Sequence, residues 1–153
     1  NDAYAGFTID RGSDDGIALY DPVMTSNGLI GMVCEIAPNY SKVATVLSDE
    51  INVGVMTFDS KVTGILDNDI KNANDGNCLM SYITKDSGIK EGEIVKSVAG
   101  VVFPGNLLIG VVTKVYDDEN GLSVHAVIKP AVDVRTVTDC VVITDFKGQG
   151  VVD

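Results

Sequence analysis

Residues 28–36 read Gly-Leu-Ile-Gly-Met-Val-Cys-Glu-Ile, and residues 108–116 repeat the pattern as Leu-Ile-Gly-Val-Val-Thr-Lys-Val-Tyr. The similarity extends upstream, because the Gly-Ile, Val and Gly at positions 16–17, 23 and 28 return at positions 88–89, 95 and 100. The second copy carries a seven-residue insertion, residues 101–107, before its Leu-Ile-Gly. Two related units of about 70 residues predict two similar small lobes in tandem.

The distribution of apolar residues favours strands throughout the chain. Short Val-rich runs alternate with segments rich in Gly, Asn and Asp at a spacing of about ten residues. No apolar period of about 3.6 residues persists beyond about two helical turns. We therefore predict an all-β fold of two small β-barrel lobes in tandem, related by the internal repeat.

The polar segment 67–77, which is rich in Asn and Asp, is expected to be a loop between the lobes or the tip of a long hairpin, and we take it as the boundary. This places the first β-barrel lobe at residues 1–67, the second at residues 68–147 and a frayed tail at residues 148–153. The final strand of paired barrels can return to the first lobe, so a second arrangement places the last strand there.

Composition excludes several classes of partner. The chain has 153 residues and a net charge of −11, which disfavours binding to nucleic acid or to an anionic membrane surface. It opens at Asn1 without an initiating Met, and we expect a fragment of a longer protein. Its cysteines, Cys34, Cys78 and Cys140, are odd in number and form no Cys-x-x-Cys pair, so a disulfide framework is not expected. Cys34 and Cys140 lie in apolar runs and are expected to be buried thiols.

The sequence offers no convincing catalytic or metal-binding cluster. His125, the single histidine, lies in an alternating strand-like run and is expected to be solvated. Segment 67–69 resembles the start of a calcium-binding EF-hand loop, but Lys71, Asn72 and Cys78 occupy its fifth, sixth and twelfth positions, where they do not fit. We predict no catalytic residue, no metal and no cofactor. A trypsin-like double-barrel hydrolase is the alternative, if His125 lies near a Ser and an Asp in a cleft.

The insertion in the second repeat is the candidate binding site. It is unusually apolar, and an exposed apolar loop tends to bind partners. The predicted partner-binding residues are Val101, Val102, Phe103, Pro104 and Gly105. The competing interpretation is that Phe103 plugs the end of the second barrel. A cell-wall glycan-binding module is a further alternative, although nine Phe and Tyr residues with no Trp make it less attractive.

A series of short motifs matches one known family in order and at plausible spacing. They are Thr8-Ile9-Asp10-Arg11-Gly12-Ser13-Asp14-Asp15-Gly16-Ile17, Asn27-Gly28-Leu29-Ile30-Gly31-Met32-Val33, Pro38-Asn39-Tyr40-Ser41-Lys42-Val43, Gly92-Glu93-Ile94-Val95, Phe103-Pro104, Ile109-Gly110-Val111-Val112 and Pro130-Ala131-Val132-Asp133. Together they resemble the extracytoplasmic β domain of the rod shape-determining MreC family. The chain departs from the family at Lys96-Ser97-Val98, where Thr-Ser-Gly is usual, and at Gly105, which follows Pro104 directly.

The resemblance implies a function as well as a fold. Members of this family are non-catalytic scaffolds of the bacterial cell-wall elongation machinery, and they maintain cell shape alongside MreB, MreD and RodA. They bind a class B penicillin-binding protein and self-associate. The resemblance also implies a location at the extracytoplasmic face of the bacterial cell membrane, with an anchoring N-terminal helix that is absent from this chain.

Overall fold

The computed structural model describes residues 6–100, 103–137 and 139–145, and strands dominate it. Antiparallel pairing organises these strands into a five-stranded sheet and a closed six-stranded barrel. The predicted all-β fold is confirmed. No helix in the described part of the chain is long and apolar enough to cross a membrane.

The five-stranded sheet forms the first lobe. Its members are β1 (Gly6–Ile9), β2 (Pro22–Thr25), β3 (Gly28–Ile36), β4 (Ser41–Thr45) and β11 (Val141–Val142). Their order across the sheet is β1-β4-β3-β2-β11, so β1 and β11 are the two edges. The last strand pairs with β2 through Val141 opposite Met24 and Val142 opposite Val23. The chain therefore returns to its first sheet after the barrel, as in the second arrangement considered from the sequence.

The closed barrel forms the second lobe. Its members are β5 (Gly54–Thr57), β6 (Thr63–Leu66), β7 (Cys78–Thr84), β8 (Ile94–Ser97), β9 (Leu108–Asp117) and β10 (Ser123–Pro130). Around the barrel their order is β10-β7-β6-β5-β8-β9. A closed barrel removes the unpaired strand edges that would otherwise invite association.

The sheet changes earlier than residue 67, the boundary expected from composition. β5 and β6 precede that residue, yet both pair within the barrel: β5 with β8 and β6 with β7. The change of sheet falls between Thr45 and Gly54. Residues 67–77 connect β6 to β7, which pair with each other, so the segment is the long hairpin connection considered as an alternative to a loop between lobes; it contains a short helix, α1 (Ile70–Asn74). The carboxylate of Asp69 caps α1 by accepting a hydrogen bond from the Asn72 N–H, which makes this polar segment locally stable.

The central glycine of each repeat has the same structural role. Gly31 on β3 approaches Ala44 of β4, and Gly110 on β9 approaches Lys129 of β10. A Cβ atom at either position would overlap the backbone carbonyl of the neighbouring strand. The repeated Leu-Ile-Gly therefore marks the point where each long strand crosses its partner too closely for a side chain.

The β3 strand joins the two hydrophobic cores. Adjacent residues on a strand point to opposite faces, and Leu29 and Ile30 are both fully buried. Leu29 packs into the barrel core, whereas Ile30 packs into the first-lobe core with Val23, Val33 and Val43. The two lobes are thus packed on opposite sides of one strand, which favours a fixed relative orientation.

Candidate partner-binding site

The described part of the predicted binding loop, residues 103–105, packs onto the barrel. Val101 and Val102 lie outside the described residues, and Phe103 is only 7% exposed because it packs into the barrel core. Its carbonyl accepts a hydrogen bond from the Gly100 N–H at 2.9 Å. The Pro104 carbonyl accepts one from the Ser97 hydroxyl at 2.7 Å, and Pro104 and Gly105 are half-buried.

Phe103 is therefore not the exposed anchor that an apolar insertion suggested. The competing interpretation describes its side chain better, since Phe103 completes the barrel core. Partner binding by the rest of the loop stays a prediction.

An apolar cleft lies beside this loop, between the two lobes. Its volume is about 450 Å³, and its walls come from the first sheet, from the connection after β4 and from the end of β8. The lining residues are Tyr20, Met32, Glu50, Asn52, Val53, Gly54, Val98, Ala99, Gly100 and Phe103. Tyr20 and Val98 are 47% and 38% exposed, so the cleft presents apolar surface to a partner. Phe103 is a predicted binding residue that lines this cleft, whereas the exposed Tyr20 and Val98 were not predicted, because they lie far apart along the chain.

Tyr20 is held in the cleft by an unusual backbone conformation. Its φ of 72° lies in the left-handed region, which a bulky residue rarely adopts and which costs roughly 1–3 kcal/mol. The Tyr20 N–H donates to the Val33 carbonyl at 2.8 Å, and the buried Asp21 carboxylate accepts from the Ala18 N–H at 2.9 Å. Burial raises the pKa of Asp21, although the Ala18 hydrogen bond acts in the opposite direction. These bonds fix the backbone that carries the ring.

Asn68 fixes the junction between the first sheet and the barrel. Its side-chain amide donates to the carbonyls of Val46 and Ser48, the latter at 3.0 Å, and its Oδ1 accepts from the Leu79 N–H at 2.9 Å. Asn68 is 7% exposed. One buried side chain thus ties the connection after β4 to strand β7 of the barrel. The resemblance of segment 67–69 to the start of an EF-hand loop did not predict that Asn68 links the two lobes.

The arrangement around His125 does not form a hydrolase triad. His125 Nδ1 lies 2.7 Å from Asp118 Oδ1, and the Ser123 hydroxyl donates to the other oxygen of the same carboxylate. A triad requires the serine to hydrogen-bond the histidine that takes its proton. Here the order is Ser-Asp-His, so the histidine is not placed to activate the hydroxyl. The Ser123 and His125 hydrogen bonds lower the pKa of Asp118, and Tyr116 stacks on the imidazole with ring centroids 5.3 Å apart.

The cysteines differ in environment. Cys78 is fully buried, its thiol lies 3.1 Å from the Val46 carbonyl, and burial raises its pKa well above the ordinary value. Cys34 and Cys140 are half-buried rather than buried, in contrast to the expectation from their apolar runs. All three are free thiols, in agreement with the absence of a disulfide framework.

The fold places this protein in the class of two-lobed all-β proteins, in which a five-stranded sheet and a closed six-stranded barrel share an apolar cleft. The family model described as "Rod shape-determining protein MreC, barrel core" matches residues 1–144. The chain therefore belongs to the MreC family, and the resemblance seen in its motifs is confirmed.

Individual relatives agree with this assignment. The chain is 31% identical over 152 residues to the cell shape-determining protein MreC of Listeria monocytogenes, an alignment that covers 95% of this chain and 50% of the relative. The chain thus spans about half the length of that curated relative. A solved structure of MreC from Listeria monocytogenes superposes with a TM-score of 0.78 at 28% identity, covering 86% of this chain and 64% of that one.

A solved structure of lower sequence identity contains a second protein bound to MreC. The complex between penicillin-binding protein 2 (PBP2) and MreC from Helicobacter pylori contains a chain that matches with a TM-score of 0.60 at 18% identity. The match covers 73% of this chain and 67% of that one. At this identity the likeness concerns the fold.

Proposed function

We propose that this chain is a non-catalytic scaffold domain of the bacterial cell-wall elongation machinery. It helps to maintain cell shape by binding a class B penicillin-binding protein and by self-associating. In the whole protein it lies at the extracytoplasmic face of the cell membrane, held by an N-terminal anchor outside this chain. MreD, RodA and MreB are the further partners expected, MreB through that N-terminal part.

The observation that carries this proposal is the apolar cleft between the lobes. Its exposed Tyr20 and Val98 sit on a rigid support, and a pre-positioned aromatic ring beside apolar walls is typical of a binding hot spot. Membership of the MreC family supports the same conclusion. The complex of PBP2 with MreC in Helicobacter pylori supports the choice of partner.

Titration against a class B penicillin-binding protein tests the proposal. The periplasmic part of that protein from the same bacterium is titrated into the purified chain by calorimetry, and Val98→Asp is compared with the wild type. We expect saturable binding that Val98→Asp weakens by about tenfold or more, because a carboxylate in an apolar contact must be desolvated. Val98 is a better site for this test than Phe103, since a charge at buried Phe103 would disrupt the barrel core.

Leu122→Asp is the matched control, since Leu122 is 77% exposed at the β9–β10 hairpin, and its substitution should leave binding unchanged. A folded wild type that shows no saturable binding contradicts the choice of partner. Equal loss in both variants contradicts the placement in the cleft. Light scattering over a range of concentrations tests self-association separately.

A further inference from the structure

The turn between β5 and β6 presents an aromatic ring flanked by two cations. Phe58 is 50% exposed, and the ammonium groups of Lys61 and Lys96 lie 5.0 Å and 4.5 Å from its ring centroid. Cation–π attraction of this kind holds the ammonium groups over the ring. The chain has 22 acidic and only 11 basic residues, so a local concentration of positive charge contrasts with the rest of the surface.

Neither of these ammonium groups is neutralised within the described residues. The ion pairs found there at 4 Å or less involve other cations, namely Arg11, Lys42, His125 and Arg135. Asp59 lies in the same turn but forms no such pair. The charge on Lys61 and Lys96 is therefore available to an external carboxylate.

An exposed apolar row continues from Phe58 across the outside of the barrel. The Phe58 N–H donates to the Ile94 carbonyl at 2.8 Å, and Ile94 pairs in register with Val111. Ile94 and Val111 are 42% and 39% exposed. Val111 pairs in turn with the exposed Lys129. Residues opposite each other in antiparallel strands share a face, so these side chains form one strip with lysines at both ends.

A buried carboxylate makes the turn rigid. Glu93, 6% exposed, accepts hydrogen bonds from the Ser60 N–H at 2.8 Å, from the Ser60 hydroxyl at 3.0 Å and from the Lys90 N–H at 2.8 Å. Burial alone would raise the pKa of Glu93, but these hydrogen bonds outweigh it and lower the pKa. The nearest buried acid is thus fully engaged on the inner side of the turn. A surface element fixed in this way loses little conformational entropy on binding.

We propose that this surface, the lysine-rimmed strip (Phe58, Ile94, Val111, Lys61, Lys96 and Lys129), binds an acidic segment of another protein that carries apolar side chains. Carboxylates of the segment meet the lysines, and its apolar side chains cover the ring and the two aliphatic residues. Phe58 and Ile94 lie at the opposite ends of β5 and β8 from Gly54 and Val98, which line the cleft between the lobes, and Lys96 lies between Ile94 and Val98. The strip is therefore a second interaction surface, centred on Phe58 and Ile94.

A synthetic peptide serves as the probe. A fluorescein-labelled peptide in which Glu alternates with Leu and Phe is titrated with the chain, beside a twin peptide with Lys in place of Glu. A protein of net charge −11 should generally repel the acidic peptide. We expect the acidic peptide to bind more tightly than its twin, with amide chemical shifts changing at Phe58, Ile94 and Lys96.

Charge reversal then locates the site. The double variant Lys61→Glu/Lys96→Glu should weaken binding of the acidic peptide by about tenfold or more. Lys71→Glu/Lys114→Glu makes the same change of net charge at two exposed lysines elsewhere on the barrel lobe, and binding should stay within about twofold of the wild type. Tyr20→Ala, which changes an exposed wall of the cleft without adding charge, should leave the peptide affinity unchanged, which separates this proposal from binding in the cleft.

Three results would overturn the proposal. The first is a twin peptide that binds as tightly as the acidic one. The second is equal weakening by both double variants, which would indicate a diffuse charge effect. In the third, sedimentation shows concentration-dependent association of the chain that only Lys61→Glu/Lys96→Glu abolishes. The occupant is then a second copy of this chain and not another protein.

Discussion

Replacement of Asn68 by Leu should loosen the junction between the lobes and destabilise the whole domain. The buried Asn68 amide serves the Val46 and Ser48 carbonyls and the Leu79 N–H. Leucine has a similar volume but offers none of these hydrogen bonds. The two carbonyls keep weaker partners, the Cys78 thiol at 3.1 Å and the Ile51 N–H at 3.4 Å, whereas the Leu79 N–H loses its side-chain acceptor.

The expected loss of stability follows from these groups. One unsatisfied N–H costs roughly 1–3 kcal/mol, and each weakened carbonyl costs roughly 0.5–1 kcal/mol. The sum is about 3 kcal/mol, a large part of the roughly 5–15 kcal/mol that stabilises a typical domain. For a chain of this length we expect the melting temperature to fall by about 6–12 °C. With a slope of about 2 kcal/mol per molar urea, the urea midpoint should fall by about 1.5 M.

Urea denaturation followed by circular dichroism measures this loss. Asn74→Leu is the matched control, because Asn74 is exposed on α1, and its substitution should change stability by less than about 0.5 kcal/mol. If Asn68→Leu unfolds within about 1 kcal/mol of the wild type at an unchanged slope, Asn68 does not secure the junction and the reasoning fails.

Three other perturbations test separate parts of the structure. Gly110→Ala should destabilise the barrel by about 1–3 kcal/mol in urea denaturation, because its Cβ would overlap a neighbouring carbonyl. Gly54→Ala is the control and should be nearly neutral, because its Cβ would meet only a side-chain carbon at 3.8 Å. Iodoacetamide at pH 8 should label Cys34 faster than the buried Cys78, which should react only when urea unfolds the chain; equal rates measured by mass spectrometry would contradict its burial. Hydrogen bonds in the folded state lower the pKa of Asp118. The ionised carboxylate therefore stabilises the fold at pH values above the pKa of the unfolded carboxyl, about 3.9. This stabilisation is lost as the pH falls through the lower pKa of the folded state. Melting temperatures between pH 6 and pH 2 should therefore fall more for the wild type than for Asp118→Asn, and parallel curves would refute this.

The strands were predictable because local sequence determines them. The apolar runs of β3 and β9 and the turn residues around them are evident in the local sequence. The glycines of the repeat lie where neighbouring strand backbones approach closely. Which sheet a strand joins depends on pairing between residues far apart in the chain, and local composition does not predict that pairing. The polar segment 67–77 looked like a boundary, yet its Asn68 and Asp69 stabilise an ordered part of the barrel lobe.

The candidate site was less predictable for the same reason. Phe103 belongs to an apolar loop in the sequence, but burial depends on what the loop packs against. The exposed walls of the cleft, Tyr20 and Val98, come from different lobes and share no motif. The positive φ of Tyr20 is equally hidden, because neither glycine nor asparagine marks the position. We propose that residues 54–130 be regarded as the barrel lobe, in place of the boundary at residue 67.

The return of β11 to the first sheet also determines how the domain carries mechanical load. The first and last strands, β1 and β11, are the two edges of one hydrogen-bonded sheet. A force that pulls β1 and β11 apart is transmitted across the hydrogen bonds of β4, β3 and β2. The barrel strands are not part of this path. The strain therefore falls on the first sheet, while the barrel and its outer surface keep their shape until that sheet ruptures.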